Sequence, residues 1–144
     1  MKLVEIDVHN GMSGAVFKTQ ECLDILKVYS DYYTEIGCVK PWIGYFILDE
    51  NVVKGVCGFT AAPKDGTVEI AYHTFPAYEG NGVASMACAL LLKIAASTGE
   101  KVIITAKTAP EHNISTRILR KHGFEQTKTV QDHEIGNAWL WELK

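Results

Sequence analysis

The stretch from Thr67 to Thr105 constrains this chain more than any other. Val68, Ile70 and Tyr72 alternate with Glu69, Ala71 and His73, which predicts a strand over Thr67–Phe75 with the two sets on opposite faces. Gly80-Asn81-Gly82 then breaks the chain. Val83–Ser97 follows with Lys93 as its single charge, the pattern of a helix covered around most of its circumference. Gly99 stands where a left-handed residue ends such a helix. Val102–Thr105 is a short, continuous apolar run, as in a buried strand. Strand, helix and strand in this order predict two parallel strands joined by a crossover helix.

The remaining segments extend the sheet. Leu3, Val4, Ile6 and Val8 mark a first strand, closed by Asn10-Gly11. Cys22, Leu23, Ile25, Leu26, Tyr29, Tyr33 and Ile36 recur at helical spacing over Thr19–Ile36, before Gly37. Trp42–Leu48 and Val52–Ala61 are β-rich runs, and Asp49-Glu50-Asn51 between them reads as a hairpin turn. Asn113 can cap a short helix whose last turn holds Arg120, Lys121 and His122 before Gly123, with Ile114 and Ile118 as its expected apolar contacts. Phe124–Val130 and Ala138–Leu143 read as two final strands. The order β, α, β, β, β, α, β, α, β, β predicts an α/β (α+β) fold over residues 1–144. One domain would carry a mixed, mostly antiparallel sheet with helices on both faces.

Composition narrows the function classes. With 47% hydrophobic and 22% charged residues the chain can bury one good core, and a formal charge of -3 provides no basic field for nucleic acid. Cys22, Cys38, Cys57 and Cys88 are widely spaced and form no CxxC pair, so no metal site and no disulfide framework is expected. The start of the chain lacks the charge and apolar run of a signal peptide, and Val83–Ala96 is shorter than the roughly 20 residues that span a bilayer. A cytoplasmic protein without a membrane partner is expected.

The chemistry lies at the strand-helix junction. Successive N–H groups of a Gly-rich turn that opens into a helix direct free donors and the positive helix end at one spot, where a phosphate can sit. Gly80 and Gly82 allow close approach, Asn81 lies between them, Val83 and small Ala84 start the helix, and the Ser85 hydroxyl adds a donor. A tight turn alone would also use glycines. The dinucleotide fingerprint wants a third glycine where Ser85 stands, and the P-loop wants lysine where Val83 stands. Glu79-Gly80-Asn81-Gly82-Val83-Ala84 instead resembles the coenzyme A loop of the GNAT acetyltransferase superfamily, whose pattern is Arg or Gln, two residues, Gly, one residue, then Gly or Ala. The segment Asn113-Ile114-Ser115-Thr116-Arg117-Ile118-Leu119-Arg120-Lys121-His122-Gly123-Phe124 resembles the branch that contains the ribosomal-protein N-terminal acetyltransferases. Glu79 departs from the pattern and is expected to point away from the pyrophosphate.

The resemblance implies an enzyme that moves the acetyl group of acetyl-coenzyme A (acetyl-CoA) to a primary amine without a metal. The pantetheine arm would run beside Tyr72, His73 and Thr74, where the strand leaves its parallel neighbour, and an amide there, that of His73 first, would polarise the thioester carbonyl. Glu69 is implied as the base, weighed equally against a solvated strand carboxylate, with His73 in reserve. The tyrosine that many relatives use to protonate the leaving thiolate is absent, since Leu119 or Arg120 falls at its place. Ser115 is the alternative donor, or else a first-turn cap. Asn113 would bind pantetheine, cap the helix, or both. Arg117, Arg120 and Lys121 are weighed between the 3'-phosphate and a solvated helix face. Tyr29, Tyr32, Tyr33, Trp42, Trp139 and Trp141 are weighed between walls of the acceptor cleft and core packing. The acceptor would be a small amine, an amino acid or a peptide N-terminus, and a homodimer is left open. A non-catalytic acyl-CoA-binding sensor or assembly module is the alternative.

Overall fold

In the computed structural model, which describes residues 1–144, the elements are β1 (Lys2–Glu5), α1 (Gln20–Ile36), β2 (Gly44–Asp49), β3 (Val52–Phe59), β4 (Thr67–Thr74), α2 (Val83–Ser97), β5 (Ile103–Thr108), α3 (Ile114–Lys121), β6 (Glu125–Asp132) and β7 (Gly136–Leu143). The seven strands form one sheet in the order β1-β2-β3-β4-β5-β7-β6. Every pairing is antiparallel except β4 with β5, the pair joined by α2. The β2-β3 turn has positive φ at both Glu50 (52°) and Asn51 (60°), the twist a tight hairpin requires.

Alternation along the strands supplies two cores. On one face Tyr45, Ile47, Val68, Ile70, Ile104 and Trp141 pack against Ala87, Cys88 and Leu91 of α2 and Leu119 of α3. Ala87 and Cys88 are fully buried, and their small side chains let α2 lie close to the sheet. On the other face Phe46, Val56 and Phe75 pack with Cys22 of α1 and with Phe17 and Ile6. Thr19 caps α1 by accepting the Cys22 amide at 3.3 Å, and Gly99, at φ 76°, ends α2.

The structure departs from the sequence reading by a residue or two at several strand ends, and by more at β1, β5 and α3. β1 stops at Glu5 because the Asp7 carboxylate accepts the amides of His9 and Asn10, each at 3.0 Å, and turns the chain. Those bonds, the Asn10 amide first, hold the Asp7 carboxyl below its usual range. β5 continues past Thr105 through Ala106, Lys107 and Thr108, which pair with β7. In α3 the buried residues are Thr116 and Leu119, whereas Ile114 is 68% exposed. No helix is long and apolar enough to cross a membrane.

Candidate active site

The turn between β4 and α2 is a bare helix entrance. Gly80 and Gly82 have φ of 82° and 76°, the left-handed region in which a side chain is strained, and a Cβ added to either would project into open space. Gly82 is the N-cap of α2 and makes no side-chain capping bond, so the amides of Val83, Ala84 and Ser85 stand without an intrahelical acceptor. These residues line a cleft of about 500 Å3 that continues along Tyr72, His73 and Thr74 and is closed opposite by Ile114, Ser115, Arg117 and Ile118 of α3. Ser85 Oγ lies 3.2 Å from His122 Nε2 and accepts from Lys121 Nζ at 3.4 Å, which brings the basic end of α3 to the α2 end of the cleft.

The sheet opens beside this cleft. β4 and β5 pair only over Thr67↔Ile103, Val68↔Ile104 and Glu69↔Thr105. Beyond them β4 stays on β3 and β5 stays on β7, which leaves the outer edge of β4 unpaired. Register decides which backbone groups face that opening. Thr60 N–H donates to Glu69 C=O at 2.9 Å and Phe75 N–H to Lys54 C=O at 2.9 Å, so residues 69, 71, 73 and 75 face β3. The His73 amide is therefore spent on Val56, the Ile70 amide is taken by Thr105 in the last β4-β5 bridge, and the amides that face the opening are those of Tyr72 and Thr74. This corrects the expectation that placed His73 first.

A notch of about 120 Å3 runs through the opening, lined by Glu69, Ala71, Tyr72, Lys107, Thr108 and Ser115 among others. Tyr72 and Ser115 border both spaces, and the Tyr72 hydroxyl donates to the Ser115 carbonyl at 3.4 Å. Burial pushes the Tyr72 phenol up, so it remains a donor. Across the notch Lys107 Nζ stands 3.3 Å from Glu69 Oε1 and 3.8 Å from Asp132 Oδ1. Burial also raises the Cys88 thiol to about 11 and the Cys57 thiol further, so neither supplies a thiolate nucleophile.

Residues 6–125 match the family model described as Acetyltransferase (GNAT) domain. The chain belongs to the GNAT acetyltransferase family. Among solved structures it is similar to a GNAT acetyltransferase from Bacillus anthracis, with 24% identity, 69% of this chain and 64% of that one covered, and a TM-score of 0.59. It is similar to RimL, a ribosomal L7/L12 alpha-N-protein acetyltransferase, at 14% identity over 98% of this chain and 90% of that one, with a TM-score of 0.72. The microcin C7 self-immunity acetyltransferase MccE, solved with acetyl-CoA and AMP, aligns at 16% identity over 85% of this chain and 69% of that one, with a TM-score of 0.68. At these identities the likeness establishes the fold. No curated protein sequence matches the chain.

Within this GNAT chain the sequence-predicted residues separate into three groups. Tyr72, His73, Thr74, Gly80, Gly82, Val83, Ala84, Ser85 and Ser115 line the cleft, and Glu69 lines the notch. Asn81 and Asn113 line neither. Asn81 Nδ2 donates to the carbonyls of Tyr78 and Glu79, each at 3.3 Å, and shapes the loop from within. Asn113 accepts the Thr116 amide at 3.1 Å while Thr116 Oγ1 accepts the Asn113 amide at 2.9 Å, a reciprocal cap. Glu79 borders the cleft and is exposed. Of the aromatic residues, Tyr33, Trp42 and Trp141 are core, and the Trp141 indole donates to Thr108 Oγ1 at 2.9 Å. The ring of Tyr29 covers Gly44 so closely that a Cβ there would clash with it. Lys107 and Tyr78, both at the site, carry no signal of it in the sequence. The lysine interrupts an apolar run, and Tyr78 lies in a short 3-10 turn with no periodic signal.

Proposed function

We propose that the protein transfers the acetyl group of acetyl-CoA directly to a primary amine, and that the amine approaches through the notch opposite the cofactor cleft. The observation that carries the reading is the end of β4-β5 pairing at Glu69↔Thr105, which frees the β4 edge along which the cleft runs to the uncapped start of α2. The pyrophosphate sits on the amides of Val83, Ala84 and Ser85, with charge-assisted support from Lys121 through Ser85. Pantetheine takes up the backbone edge of Tyr72 and Thr74 that β5 leaves free. Its thioester then lies at the junction bordered by Tyr72 and Ser115, where the Tyr72 amide faces the developing oxyanion.

Glu69 accepts the proton of the incoming ammonium, directly or through one water, and the neutral nitrogen attacks the carbonyl carbon. The tetrahedral intermediate expels the coenzyme A thiolate, which the Ser115 hydroxyl, beside the Tyr72 phenol, protonates. His73 borders the cleft but not the notch, so Glu69 is the better placed base. RimL, whose fold this chain shares over 98% of its length, is an alpha-N-protein acetyltransferase, which supports a peptide N-terminus or a small amine as acceptor. Four free cysteines fit a reducing compartment such as the cytoplasm.

An acetyl-CoA consumption assay across amines, polyamines, amino acids and peptides with varied first residues tests the reading. Turnover with at least one acceptor class is expected. Tight cofactor binding without turnover of any acceptor would replace the enzyme with an acyl-CoA sensor.

A further inference from the structure

The notch that should receive a foreign amine already holds an amine of the chain itself. Lys107 lies two residues beyond Thr105, the last β5 residue paired with β4, on the same strand face as Thr105 and Glu69. Its side chain reaches back across the widening gap until Nζ is 3.3 Å from Glu69 Oε1. The ammonium and the carboxylate thus form an ion pair in the wall of the notch, with Asp132 Oδ1 at 3.8 Å from Nζ. The notch is also lined by Tyr72 and Ser115, the two residues that border the larger cleft as well. The Lys107 side chain is 32% exposed, so Nζ is neither locked in the core nor free in solvent.

We propose that Lys107 is an acetyl acceptor of the protein's own site: with acetyl-CoA bound and no competing amine, the chain acetylates Lys107 Nζ. The inference rests on the transferase reading above. Glu69 takes one proton from the Lys107 ammonium, and the neutral nitrogen attacks the thioester carbonyl. A C–N bond forms and the C–S bond breaks. The nitrogen loses a second proton as the amide forms, the thiolate is protonated, and one proton is released overall with coenzyme A and Nε-acetyl-lysine. No oxidant or further reactant is required. The product has no charge at Nζ, so the Glu69–Lys107 pair is dissolved and Glu69 is left as an uncompensated carboxylate beside Asp132. Self-transfer therefore changes the electrostatics of the acceptor entrance, and it reports acetyl transfer before any acceptor is known.

The full chain is incubated with acetyl-CoA alone, cofactor affinity is measured calorimetrically, and mass spectrometry follows the intact chain and its peptides. One acetyl group is expected on Lys107, accumulating at least about ten-fold faster than on Lys93, a solvent-exposed lysine of α2 that reports uncatalysed acetylation. Lys107→Arg removes this label with cofactor affinity unchanged, and Glu69→Gln slows it about 100-fold. Gly82→Val, which weakens cofactor binding, lowers Lys107 labelling toward the Lys93 background at acetyl-CoA concentrations below the variant's Kd. Bound acetyl-CoA with Lys107 labelled no faster than Lys93 overturns the proposal; the transferase reading then stands if an added amine turns over. Failure to bind acetyl-CoA overturns both.

Discussion

The cofactor cleft and the notch share a wall, yet they are made of different materials. The cleft is largely backbone: the left-handed glycines 80 and 82, three uncapped amides, and a strand edge that has lost its neighbour. The notch is side chain: Glu69 from β4, Lys107 from β5 and Ser115 from α3 in one small space, with Asp132 from the end of β6 at 3.8 Å from Lys107 Nζ. A backbone site tolerates many side chains but depends on local conformation. A side-chain site depends on residue identity and is assembled from distant segments. The two should consequently fail in different ways.

The largest effect is expected on the side-chain half. Glu69→Gln removes the base and should lower kcat by about 100-fold or more while the acetyl-CoA Kd stays unchanged, measured by steady-state kinetics and calorimetry. An unchanged rate across pH would remove Glu69 from the role. Gly82→Val attacks the backbone half. A β-branched residue at φ 76° costs on the order of 1–3 kcal/mol locally and tilts the first amides of α2, so cofactor affinity should fall about 10- to 100-fold. Retained affinity would sink the loop assignment. Ser115→Ala, on the shared wall, should reduce kcat by roughly ten-fold with Kd unchanged. A change in Kd alone would make Ser115 part of the cofactor site.

Smaller effects sharpen the boundary between the halves. Asn113→Ala should cost about 1 kcal/mol of unfolding free energy in denaturant titrations and leave cofactor affinity unchanged, because its side chain serves the α3 cap. Weakened binding at constant stability would restore Asn113 to the cofactor site. Glu79→Gln should tighten cofactor binding a few-fold at low salt, with the gain fading as salt rises. Independence of salt would mean that its carboxylate stays away from the phosphates.

The same contrast explains what the sequence revealed. The strand, the glycine loop and the helix were legible because period, punctuation and capping are written within consecutive residues, and the coenzyme A loop is a property of that short segment. The direction of the His73 amide was not legible. Alternation assigns a side chain to a face, but the edge a backbone group addresses is fixed by register, here by the Thr60–Glu69 bond. Ile114 was read as core because it is apolar, whereas the Asn113–Thr116 cap makes it the first helical residue and turns it to the cleft. Lys107 escaped because nothing in Ala106-Lys107-Thr108 announces that a strand continues, or that its neighbour two places earlier has already departed.

The three-residue pairing of β4 with β5 also has a mechanical meaning. It is the only strand pairing between a four-stranded blade, β1 to β4, and a three-stranded blade, β5, β7 and β6. With three paired positions, this seam is the shortest pairing in the sheet. A cofactor seated there would supply the missing edge partner, so occupancy and cohesion would rise together. By mass action, acetyl-CoA at a hundred times its Kd adds about 2.7 kcal/mol to the unfolding free energy. When acetyl-CoA is added, exchange of the Tyr72 and Thr74 amides with deuterated solvent should slow more than that of any other strand amide, because these two face the edge that β5 leaves unpaired.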